Sequence, residues 1–156
     1  IAAYEAEDTP DDKFEKITKP EFVSALKRRV KDPTGVDQSQ LNLCGPAAFM
    51  VMWIEREPQS FTQATIELFQ KGKSKYKDIE LKANKRMFKL DNQKTDKKGR
   101  LQYALQLVDW LVLSSLQNAK GLLGYSPDKE MGGIRGIGLP KRVLSWFEAL
   151  SDGEAK

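Results

Sequence analysis

The chain has 156 residues, 40% of them hydrophobic, with 3 Trp, 4 Tyr and 7 Phe, which is enough for one packed domain and too apolar for disorder throughout. A single Cys excludes a disulfide framework, and the complete absence of His excludes histidine metal sites and an imidazole base from these residues. The net charge of +4 is local: residues 71–100 hold 12 Lys/Arg against 4 Asp/Glu, and all other positions hold 14 against 18, which is not the basic face of a dedicated nucleic-acid domain.

Residues 1–19 are polar and carry an acidic cluster at Glu5, Glu7, Asp8, Asp11 and Asp12, so a flexible or loosely docked lead-in is expected ahead of a helical domain over 20–156. A first helix is predicted over about 20–31. Pro20 suits its first turn, Phe22, Val23, Leu26 and Val30 form its apolar stripe, and Lys27, Arg28, Arg29 and Lys31 sit at its negative end. Asp32-Pro33-Thr34-Gly35 stops it, and a loop follows to Leu43. A second helix runs from Cys44 to about Arg56. Its stretch Ala47-Ala48-Phe49-Met50-Val51-Met52-Trp53-Ile54 is apolar all round, the pattern of a helix buried on most sides. Pro58 breaks it. A third helix is expected over about 60–71, with Gly72 as its C-cap.

In the basic segment, Tyr76, Ile79 and Leu81 alternate with Lys77, Glu80 and Lys82, as in a short edge strand. Residues 91–100 read as an exposed loop. A fourth helix is predicted over about 101–120, with Leu105, Val108, Leu111, Val112 and Leu116 apolar. The Gly-rich run 125–138 reads as a linker; its Gly132-Gly133-Ile134-Arg135-Gly136 lacks the Gly-Lys-Ser/Thr end of a phosphate loop. A last amphipathic helix, about 139–150, carries Val143, Leu144, Trp146, Phe147 and Leu150. The expected fold is therefore mostly α, about five helices around a buried central helix that starts at Cys44. No apolar run reaches the roughly 18 residues of a membrane span, so no membrane partner is expected. No signal-peptide pattern is visible, which leaves a cytoplasmic or a secreted location open.

The run Gln38-Ser39-Gln40-Leu41-Asn42-Leu43-Cys44-Gly45-Pro46 carries the chemistry. A Cys that opens a helix sits where the macrodipole favours a thiolate. Gly45 would let a substrate approach the sulfur, and Pro46 fits the first turn. Gln38, in a loop able to fold back, could donate its side-chain amide to a developing oxyanion together with the Cys44 backbone N–H. The plainer alternative for Cys44 is a small hydrophobe, and for Gln40 and Asn42 a helix-capping role. Asp109, on an apolar helix, fits a salt bridge better than the orientation of a base.

Gln38, Cys44, Gly45, Pro46 and Ala47 resemble the start of a papain-like cysteine peptidase fold, closest to the bacterial branch with bacteriocin-processing and toxin-type domains. The resemblance spans about residues 36–150, and only the Cys motif in it is specific. It implies the helical lobe of a papain-like α+β fold, with Cys44 the nucleophile, Gln38 the oxyanion donor, a peptide or protein as substrate, and no cofactor. The family's base is a His on a later β-lobe, and this chain has none. The expectation is a thiol hydrolase completed by a His from elsewhere and inactive or nearly so as this chain stands; the alternative is a non-catalytic interaction module that uses the basic 71–100 segment to hold an acidic protein.

Overall fold

The computed structural model describes residues 1–8, 13–36, 44–95, 97–98, 101–119 and 140–151. Six α-helices occur among them: α1 (Ala2–Ala6), α2 (Lys19–Lys31), α3 (Cys44–Arg56), α4 (Pro58–Lys71), α5 (Leu107–Ala119) and α6 (Pro140–Ser151). Two antiparallel hairpins lie between α4 and α5: β1 (Lys73–Tyr76) with β2 (Ile79–Lys82), and β3 (Gln93–Thr95) with β4 (Leu101–Ala104). The fold is mostly α, as the periodicity predicts. Short 3-10 turns at Pro33–Gly35 and Lys85–Lys89 join these elements.

Helix α3 is the hub and packs against α4, α5 and α6. Its Phe49, Met50 and Trp53 are fully buried. Trp53 packs edge-on against the Phe61 ring and at a tilt against Phe49 and Tyr76, at centroid distances of 5.2, 5.6 and 4.5 Å. Phe49 also meets Trp146 of α6 at 5.5 Å. A second aromatic cluster forms around Phe69 of α4, which stacks on Phe22 of α2 at 4.1 Å and on Phe14 at 5.5 Å. Trp53, Leu111 and Trp146 all belong to one core.

Four expectations change. The lead-in predicted to be flexible or loosely docked contributes Tyr4, Phe14 and Ile17 to the core, because three apolar side chains spaced among charges suffice to dock it. Lys19 lies over the Tyr4 ring and Lys27 pairs with Glu5, which fastens α1 to α2. The alternating segment at 76–82 belongs to a hairpin over 73–82 rather than to a lone strand, with Tyr76 opposite Ile79 and Ser74 opposite Leu81. Residues 93–95 and 101–104 pair as strands, so the loop expected over 91–100 is partly sheet. The fourth helix accordingly begins at Leu107 rather than 101: Leu105 N–H donates to Asn92 O, continuing the hairpin, and the first helical bond runs from Trp110 N–H to Gln106 O. The Gly-rich run 125–138 lies outside the described residues.

Candidate functional site

Cys44 is the first residue of α3, its thiol free and exposed. The reason is local: Pro46 lacks a backbone N–H, which the first turn does not need, and the side chains that follow turn into the core. Pro46, Ala47, Phe49, Met50, Trp53 and Ile54 are buried, so the sulfur stands on a rigid element while facing water. The first turn of α3 also presents backbone N–H groups that have no intrahelical acceptor, the usual property of a helix start.

Gly45 has a different use from the one its sequence context suggests. A Cβ built on it would lie 2.6 Å from Cγ2 of Val143, so the bare Cα admits helix α6. The glycine sets the close crossing of α6 over the start of α3, and this crossing seats Val143 on Gly45 and carries Trp146 and Phe147 onto Phe49. Leu144, expected on the apolar face of α6, is instead 59% exposed, the largest exposure of any large hydrophobic side chain described. It sits one residue past the Gly45 contact.

Gln38 lies outside the described residues, as do Ser39, Gln40, Leu41, Asn42 and Leu43. Asp109 pairs with a cation of α2. It is fully buried and receives both Nε and Nη2 of Arg29, at 2.7 and 2.6 Å. That is the salt bridge its apolar helix suggests. Among the described residues no group of His, Cys, Asp and Glu is arranged to hold a metal ion. No described helix is long and apolar enough to cross a membrane.

The polar junction at the other end of α3 was not signalled by the sequence. Tyr76 Oη donates to Glu57 Oε1 at 2.7 Å, and Lys77 Nζ lies 3.6 Å from the same oxygen. Lys77 adopts φ +50° in the hairpin turn and also donates to Ala149 O of α6. Burial, and then the Glu57 carboxylate, push the Tyr76 hydroxyl well above its ordinary value of 10.0. No family model, curated protein or solved structure matches the chain.

Proposed function

We propose that these residues form the helical lobe of a papain-like thiol hydrolase with Cys44 as its nucleophile. The observation that carries the reading is an exposed thiol on the first residue of a helix whose body is core. A thiol so held is accessible to a carbonyl and fixed against it, the two conditions of covalent catalysis. In this reading Cys44 Sγ adds to a peptide or amide carbonyl, forming a C–S bond. The tetrahedral oxyanion accepts hydrogen bonds from the Cys44 backbone N–H and from Gln38. The C–N bond breaks, the amine leaves with a proton, and water hydrolyses the thioester to the acid and the free thiol. The proton carrier is a histidine outside the 156 residues, since they hold none.

A peptidyl p-nitrophenyl ester separates the nucleophile from its base. The activated ester acylates a competent thiol without help from an acid, and imidazole in solution can serve deacylation. A burst of one nitrophenolate per chain is expected in the folded protein, faster than in the urea-unfolded chain. Cys44→Ala should show no burst, and in the unaltered chain added imidazole should give slow turnover above the rate of imidazole with the ester alone and above that of Cys44→Ala. A folded-state burst no faster than that of the unfolded chain would remove the nucleophile role.

A further inference from the structure

Strand β1 has one edge paired with β2 and one edge with no backbone partner among the described residues. Ala83 N–H donates to Gly72 O at 2.9 Å, which makes Gly72 and Ala83 a hydrogen-bonded pair at the open end of the hairpin. Such pairs alternate along an antiparallel ladder. The pairs Lys73–Lys82 and Lys75–Glu80 are therefore the ones whose backbone groups point away from the partner strand. On the β2 side the carbonyl of Lys82 accepts from Asn118 Nδ2 of α5 at 2.8 Å, so α5 closes that edge. On the β1 side no backbone hydrogen bond leaves Lys73 or Lys75 for any described residue.

Lysines outnumber carboxylates beside this edge: Lys73, Lys75 and Lys82 stand with Glu80, which faces Lys75. Lys73 stands directly opposite Lys82, and both are exposed. Like charges in facing positions oppose each other. Neither lysine has an ion-pair partner among the described residues, while Lys71 is held by Glu67 and Lys75 stands 3.9 Å from Asp78. Between α4 and the hairpin lies a cleft of about 380 Å³ lined by Glu67 and Glu80 together with Lys73, Ser74, Lys75, Leu81 and Lys82. The Ser74 hydroxyl is buried there without a hydrogen-bond partner.

We infer that the free edge of β1 takes an extended acidic peptide segment as a third strand. Its main chain would bond to the N–H and C=O groups of Lys73 and Lys75, the usual basis of strand addition. Its carboxylates would lie against Lys73, Lys75 and Lys82, relieving the facing positive charges. The hairpin tip touches Glu57, at the end of α3 remote from Cys44 and about 18 Å along the helix axis. The docking edge is thus separate from the thiol and stands whether or not Cys44 is a nucleophile. Lysines on an edge strand also discourage self-pairing, so the test must detect a ligand and not merely the absence of aggregation.

The probe is a fluorescein-labelled short peptide of alternating Glu and Val, followed by anisotropy. Saturable binding that weakens with added salt is expected. Lys73→Glu and Lys82→Glu should each weaken it about tenfold or more, a loss of about 1.4 kcal/mol. Lys82→Glu should at the same time keep or raise the melting temperature, because it replaces a facing like-charge pair. The same peptide with alternate backbone nitrogens methylated should not bind the unaltered protein. Equal binding of the methylated peptide would overturn strand addition. Equal binding of a single-stranded oligonucleotide or an anionic vesicle, lost in the same variants, would overturn a peptide as the occupant. Absence of saturation with the acidic peptide would overturn the site itself.

Discussion

Arg29 and Asp109 are 2% and 0% exposed, and each owes its tolerance of burial to the other. The guanidinium spends its remaining donors on Asp32 O, Gly35 O and Gln106 Oε1. One side chain thereby ties the end of α2, the turn after it and the first turn of α5. Removing one member of such a pair strands a buried charge, which costs about 3–5 kcal/mol, whereas replacing both with apolar residues is often neutral. Asp109→Ala should therefore lower the urea-derived unfolding free energy by about that amount. Arg29→Met with Asp109→Leu should recover most of the loss. The pair was half legible. Arg29 falls on the same helical stripe as Phe22 and Leu26, and Asp109 on an apolar helix demanded a partner, but the two are 80 residues apart and only the packing of α2 on α5 selects them. The same limit applies at Gly45. Its position after Cys44 was plain, but the Val143 methyl that occupies its missing side-chain volume belongs to α6.

At the scale of elements, the helices whose ends carry local chemistry were readable, and those bounded by pairing were not. Pro46 and Pro58 sit in the first turns of α3 and α4, and Gly72 ends α4 with φ +72°. The start of α5 depends on β4 finding β3, which no residue within 101–106 encodes alone. Helix α2 has a local signal of its own in Thr18-Lys19-Pro20-Glu21. Thr18 Oγ1 accepts from Glu21 N–H at 3.4 Å, and Glu21 Oε2 accepts from Thr18 N–H at 2.9 Å. The bond from the Thr18 backbone, and then that from its hydroxyl, hold the Glu21 carboxyl below its ordinary value of 4.5. A carboxyl with a depressed folded pKa stabilises above the unfolded value, and its contribution fades as pH falls through the folded one. Thr18→Ala should cost about 1 kcal/mol at neutral pH. The difference between variant and parent should narrow in urea titrations repeated below about pH 4.

At the scale of the molecule, the far end of α3 joins three elements that the sequence keeps apart. Glu57 follows α3, Tyr76 and Lys77 belong to the β1–β2 hairpin, and Ala149 belongs to α6. Tyr76 is 5% exposed and packs its ring on Trp53, so the hydroxyl cannot ionise without placing a phenolate beside the Glu57 carboxylate. Its pKa is raised by burial first and by Glu57 next. An unfolded tyrosine releases its proton near pH 10. Above that pH the native chain still holds a proton that the unfolded chain has lost, so the native state binds more protons and stability falls as pH rises. Below pH 10 both states hold it, and the stabilisation is complete. Urea midpoints should therefore stay level in this respect to about pH 9.5 and then decline. Tyr76→Phe keeps the ring against Trp53 and removes the titrating group. It should lose about 1 kcal/mol at pH 8, the worth of one hydrogen bond to a charged acceptor less the cost of burying a hydroxyl, which Phe avoids. It should also decline less steeply than the parent above pH 10. Parallel curves for the two proteins between pH 9 and pH 11 would show that the proton on Tyr76 does not couple to the assembly of α3, the hairpin and α6.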